Sequence, residues 1–183
     1  SEELKVGGHQ ASSSSVVTIL TYIFFEYMDA GDRIAIKPHA SPVYHAIQYL
    51  LGNLGVEYLE TLRSLGGLQA YPSRTKDPDG VDFSAGPVGL GAVAPNFASL
   101  TESYVNARLV PDTRVTRRFI SLIGDAELDE GVVWESIADH ALANTENILW
   151  VIDLNRQSLD RVIPGIRVRV WREMFEANGW RVI

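Results

Sequence analysis

The chain has 183 residues, 46% hydrophobic and 21% charged, a globular composition that excludes an intrinsically disordered protein. A formal net charge of −7 is the wrong sign for a general nucleic-acid binder, and the absence of Cys excludes disulfides and thiolate metal sites. The longest apolar run, over 16–25, is broken by threonine and tyrosine and is too short to cross a bilayer. The opening Ser-Glu-Glu-Leu-Lys lacks the basic and apolar regions of a signal peptide, so a cytoplasmic location away from membranes is expected.

In chain order, Val16, Ile19, Leu20, Ile23, Phe24 and Tyr27 recur at helical spacing, with the serines at 12–15 as the helix start and Gly31 as its stop. Residues 33–37 alternate like a short strand. Ser41 followed by Pro42 reads as an N-cap and a first-turn proline, opening a helix that ends at Gly52. A further short helix is predicted over 56–65. Residues 66–87 then shift to Gly, Pro, Ser and Asp with little periodicity; irregular stretches of that length are uncommon in a compact domain and often functional. The glycines of 86–91 open an alanine-containing helix that runs to about Asn106.

The last third is the clearest. Residues 118–123 read as a buried strand, and a helix follows through Val133, Trp134, Ile137, Ala141 and Leu142. Residues 148–154 read as a second buried strand, and a helix over 168–177 leads into a third strand beginning at Trp180. Continuous apolar strands alternating with amphipathic helices predict a three-layer α/β fold, a mainly parallel sheet with helices on both faces. One domain over 1–183 is expected. Because the sequence lacks an initiator Met and stops at the start of a strand, it reads as a piece of a longer polypeptide.

In open α/β sheets, ligands bind beyond the carboxyl ends of the strands. The first buried strand runs into Gly124, Asp125, Ala126 and Glu127; the second runs into Asp153, Leu154, Asn155, Arg156 and Gln157. A carboxylate, a carboxamide and a backbone carbonyl are hard oxygen ligands suited to Mg²⁺ or Ca²⁺, and Mg²⁺ generally takes further ligands from substrate phosphates. Ordinary roles are equally open to these residues, Asp125 as a helix cap and Asn155 as a loop hydrogen-bonder. His45 is expected to be a surface or packing residue, His140 to complement a helix C-terminus, and Asp129 and Glu130 to complement a helix N-terminus. Arg114, Arg117 and Arg118 form a small basic cluster expected to be solvated. The glycines of 86–91 are spaced G-x-x-G-x-G, which is not a dinucleotide fingerprint.

Asp125 and Asn155 lie 30 residues apart, and Gly-Asp-x followed at that distance by Asn resembles the thiamine diphosphate motif. Five segments resemble the homodimeric pyruvate dehydrogenase E1 branch of that family: Gly-Gly-His-Gln-Ala-Ser at 7–12, His-Ala-Ser-Pro at 39–42, Tyr-Pro at 71–72, Gly-Asp-Ala-Glu-Leu-Asp-Glu at 124–130, and Asn-Arg-Gln-Ser-Leu-Asp at 155–160. The resemblance spans almost the whole sequence but only the N-terminal, diphosphate-binding domain of such enzymes. It implies thiamine diphosphate and Mg²⁺ as cofactors, with Asp125, Asn155 and the Gln157 carbonyl as metal ligands. It implies that Ser12, His39 and the backbone amides of Ala126 and Glu127 contact the diphosphate, and that Leu159 lies near the thiazolium. His9, His39 and Tyr71 would line the substrate side, where imidazoles suit proton transfer and a phenol can hold a carboxylate or enolate oxygen. The cofactor supplies the hard step, a ylid that adds to a 2-oxo acid, here expected to be pyruvate.

The sequence departs from the branch at Ala126, where Gly is usual, at Lys37 and Pro38, which stand for Gln-Gly, and at Ala85, which stands for Met. Lys37 leans towards a transketolase-like alternative acting on sugar phosphates. The glutamate that activates the aminopyrimidine belongs to a pyrimidine-binding domain absent from this sequence, so the chain alone is expected to be inactive, and a non-catalytic module derived from such a domain is the third reading. The expected partners are that missing domain from its own or a partner subunit of a homodimer, and a lipoyl-bearing E2 component. Segments 7–12, 38–41 and 66–87 would border the shared face and are expected to be the least ordered parts of a lone fragment.

Overall fold

Three apolar strands form the centre of the molecule. In the computed structural model, which describes the backbone of residues 9–110, 117–143, 145–155, 157–158, 161–162 and 165–183, they are β1 (Arg33–Ala35), β2 (Phe119–Gly124) and β3 (Ile148–Asp153). The side chains of His9 and of residues 157–166 lie outside the described set, as do Gly7, Gly8 and Leu159 altogether. The strands are parallel in the order β1-β2-β3, with Arg33 opposite Phe119 and Gly124 opposite Asp153. A short antiparallel pair, β4 (Gln157–Ser158) and β5 (Arg161–Val162), follows β3.

Side chains alternate across a strand, and both faces of this sheet are apolar. Ile120, Leu122, Leu149 and Val151 face one core with α1 (His9–Tyr22) and α2 (Ser41–Leu50). Ile123, Trp150 and Ile152 face a second core with α3 (Leu90–Arg108), α4 (Gly131–Ile137) and α5 (Gly165–Ala177). The three-layer α/β arrangement predicted from the sequence is the one observed. Among the described residues, no helix is long and apolar enough to cross a membrane.

Several local expectations are corrected. Residues 56–65 hold only a 3-10 turn at Val56–Tyr58, because most of the segment is exposed and offers no apolar face to bury. Ser41 is the first residue of α2 rather than its cap, and its hydroxyl donates to the Ala70 carbonyl. No ladder forms at 180–183; Trp180 instead packs on Trp150 and Phe175 and donates from Nε1 to the Ile137 carbonyl. The helix after β2 stops at Ile137, so His140 begins a separate 3-10 turn rather than ending α4. Arg117 and Arg118 are not merely solvated: Arg117 pairs with Glu102, while Arg118 pairs with Asp29 and Asp32 and stacks over Tyr27. Arg114 lies outside the described residues.

The irregular stretch 66–87 is present, and it is tied down by carboxylates. Asp77 accepts from the backbone N–H groups of Gln69 and Ser73, and Asp82 accepts from that of Ile34 on β1. Asp79 accepts from Nδ1 of His45 at 2.7 Å, with both side chains almost wholly buried. His45 is thus a packing residue of α2 that anchors the loop. Removing one member of a buried pair strands the other, at a cost of about 3–5 kcal/mol. Asp79→Ala is therefore expected to lower stability by that order in thermal or denaturant unfolding of the protein, a larger loss than Asp29→Ala, whose carboxylate is 89% exposed.

Candidate active site

All three parallel strands end at the same edge, and the chain turns there carry the polar residues. After β1, Lys37 is followed by a 3-10 turn over Pro38–Ala40. After β2 comes a second 3-10 turn, Asp125–Asp129. After β3 the chain continues through Leu154 to Asn155. Because Gly124 and Asp153 are register partners on adjacent strands, Asp125 and Asn155 leave the sheet side by side.

They open onto a cavity of about 410 Å³, within the range of about 300–1,000 Å³ usual for small-ligand sites. Of the residues singled out from the sequence, Ser12, His39, Tyr71, Asp125, Ala126, Glu127 and Asn155 line it. The backbone of His9 opens α1, and that of Gln157 lies in β4, two residues past Asn155. Leu159 lies outside the described residues.

The lining is strongly acidic. Asp125 is 1% exposed, and Glu127, Asp129 and Glu130 join it on the wall, against Lys37 as the ammonium among the described lining residues. The Glu127 side chain turns inward, where its two oxygens accept from the N–H groups of Gly124 (3.1 Å) and Gly89 (3.2 Å). Burial holds its carboxyl above the usual carboxylate range, against the pull of those two N–H groups and of Lys37. Gly89 sits at φ +83°, and a Cβ there would meet Glu130 and Val132 at 3.2 and 3.1 Å, so glycine is required for this approach. Asp129 pairs with Arg167 of α5.

His39 stands at the cavity edge with its ring 5.8 Å from that of Tyr71. Burial, then the charges of Lys37 and Arg63, lower its imidazole below the ordinary histidine value, so it is neutral at pH 7 and fit to accept a proton. Replacing Lys37 by Met is expected to raise the His39 titration midpoint measured by NMR, though not to the ordinary value, because burial remains.

Sequence reasoning missed a network behind this wall. Lys37 is 4% exposed, and its Nζ meets Asp153 Oδ2 at 2.5 Å. The same oxygen accepts from Ser15 Oγ at 2.6 Å and from Asn155 Nδ2 at 3.2 Å. To reach Asp153 from β1, Lys37 crosses the end of β2 over Gly124, where a Cβ would lie 3.9 Å from Lys37 Cδ. The available signal was a Lys and an Asp each closing an apolar strand on either side of the central one.

Comparison with known proteins identifies the family of the chain. A sequence model of the family described as "Transketolase, thiamine diphosphate binding domain" matches residues 26–183. The pyruvate dehydrogenase E1 component of Escherichia coli is 29% identical over all of this chain, and that of Mycobacterium tuberculosis is 30% identical over 97% of it. The chain spans only about a fifth of the length of these curated relatives, 22% and 20%. Among solved structures, transketolase from Campylobacter jejuni superposes with a TM-score of 0.67 at 26% identity, over 83% of this chain and 24% of that one. Transketolase from Leishmania mexicana shares the fold at a TM-score of 0.76 and 21% identity, over 96% of this chain and 30% of that one. The chain belongs to the transketolase thiamine diphosphate-binding domain family.

Proposed function

We propose that this chain is the diphosphate- and Mg²⁺-binding part of an E1-type 2-oxo acid dehydrogenase acting on pyruvate. The observation that carries the proposal is the convergence of Asp125 and Asn155 from adjacent strand ends on one acidic cavity. A cavity walled by four carboxylates and one ammonium repels a diphosphate unless a divalent cation stands between them. A buried carboxylate and a carboxamide oxygen are hard donors that fit Mg²⁺, and the Gln157 carbonyl is the third donor the family resemblance supplies.

When bound, thiamine diphosphate supplies the carbanion chemistry that breaks the bond to the substrate carboxylate. The chain's own residues bind and orient. Ser12 and the amides of Ala126 and Glu127 offer donors to the diphosphate from the cavity wall. His39, held neutral, accepts a proton at the substrate side, and the Tyr71 phenol beside it donates to a substrate oxygen.

Lys37, on which the sugar-phosphate reading leaned, is buried in an ion pair rather than set at the cavity mouth. That favours the 2-oxo acid reading. A homodimer in which a pyrimidine-binding domain completes the site, passing its acyl group to a lipoyl-bearing partner, belongs to the same proposal.

The test is activity of the full-length protein with thiamine diphosphate and Mg²⁺, on pyruvate, 2-oxobutyrate and 2-oxoglutarate with a lipoyl disulfide as electron and acyl acceptor, and on ketose phosphates with an aldose phosphate as two-carbon acceptor. Turnover of pyruvate is expected, and preference for ketose phosphates would overturn it in favour of a transketolase. Asp125→Ala is expected to weaken cofactor and metal binding in calorimetry by at least about 100-fold, since even outer partners of a metal site are worth about 10–100-fold. Binding without turnover on any of these substrates would point to a non-catalytic module.

A further inference from the structure

We propose that Asp153 is a positioning residue for the divalent-cation site: it fixes which end of the Asn155 carboxamide faces the cavity, with Lys37 and Ser15 holding it in place. The inference rests on the functional reading above, which makes Asn155 a ligand, and extends it to residues that touch neither metal nor cofactor.

An asparagine side chain has a donor end and an acceptor end of almost the same shape, so its orientation is decided by its neighbours. Only the oxygen end can bind a cation. The neighbour here is a carboxylate, which accepts hydrogen bonds and donates none. Asn155 therefore turns its Nδ2 to Asp153 Oδ2, at 3.2 Å, and its oxygen lies at the opposite end of the amide. Asn155 lines the cavity, whereas Asp153 is 6% exposed and lies behind the lining.

Asp153 can act this way only if it stays where it is. A carboxylate so near a bound cation would otherwise compete as a ligand. Lys37 Nζ and Ser15 Oγ both bond the same Oδ2, one reaching from β1 across Gly124 and the other from α1. These two donors on one oxygen, arriving from beyond β1 and from α1, hold the carboxylate in place with the same oxygen towards Asn155.

A salt bridge that served folding alone would be replaceable. Exchanging a buried ion pair for apolar side chains of similar volume is often neutral or stabilising, and it leaves the net charge unchanged. Lys37→Met combined with Asp153→Leu in the full-length protein removes the orienting carboxylate without altering the charge near the site. Affinity for Mn²⁺ is measured by electron paramagnetic resonance in the presence of thiamine diphosphate, with thermal unfolding alongside. The double variant is expected to keep its fold and to bind Mn²⁺ about 10–100-fold more weakly, the usual effect of losing an outer-shell partner.

Asn155→Asp supplies the discriminating readout, because a carboxylate presents an oxygen at either end. In that background the apolar pair is expected to cost no affinity. Unchanged Mn²⁺ affinity in the double variant, or an equal loss in the Asn155→Asp background, overturns the proposal. If the leucine-bearing pair fails to fold, Lys37→Met with Asp153→Ala carries the same expectation at the same net charge. Failure of the functional reading is separately visible, as Mn²⁺ binding by the unmodified protein that Asp125→Ala does not remove.

Discussion

A carboxylate at the end of β3 and an ammonium two residues past β1 meet across the central strand, and much of the carboxyl edge of the sheet is arranged around that contact. Both groups are almost fully withdrawn from water, so each is tolerable only because of the other; removing one alone costs about 3–5 kcal/mol. The pair spans all three strands without belonging to the central one, and Lys37 passes over Gly124 at the end of β2, where a Cβ would make ordinary van der Waals contact with it. The turn after β2 brings Asp125 to the cavity that Asn155 also lines from the neighbouring strand end. Of the carboxylates on this wall, Asp129 is offset by Arg167 and Glu127 by the N–H groups of Gly124 and Gly89.

The platform beneath is stiff for reasons that have nothing to do with the chemistry. The apolar side chains of β2 and β3 are divided between two cores, and buried polar contacts pin the helices to the sheet. Asn96 of α3 donates to Ser136 of α4 and accepts from Trp150 of β3, while Ser121 of β2 donates to the Ala92 carbonyl. Buried hydrogen bonds of this kind penalise any slip of helix against strand, because a slip would leave both partners unsatisfied. Loop 66–87, which brings Tyr71 to the cavity, has no regular structure of its own and takes its shape from backbone N–H groups bonded to Asp77 and Asp82.

Much of this was legible in the sequence, and the divide follows the range of the interaction. Apolar runs such as 118–123 and 148–154 announce strands, although only the first is buried along its length while β3, expected to be buried, is half-buried up to Asp153, and Asp125 and Asn155 mark a candidate site because they stand at the ends of those strands. The Lys37–Asp153 contact was missed, since it joins residues 116 positions apart and each side chain alone reads as a surface charge, its one trace being that each follows or closes an apolar strand. The helix expected over 56–65 failed for the opposite reason: a local pattern was present but no face of it was buried. Trp180 reads as β-forming, yet a strand needs a partner with which to exchange hydrogen bonds, and the indole found an aromatic cluster instead.

Lys37 and His39 are separated by a single proline, the ammonium turned into the molecule and the imidazole at the cavity edge. Inserting or deleting one residue between Ile36 and Ala40 would change the offset of His39 from Lys37 or from the start of α2, so that the ion pair to Asp153 and the imidazole at the cavity edge could not both be kept. The distance from the end of β1 to the start of α2 is thus fixed to the residue. The largely exposed turns between Gly52 and Glu60 lie outside the cavity lining. Length variation should accumulate there and be refused at the strand end, so in a library of random insertions the two places would separate within one round of selection for a folded, cofactor-binding protein.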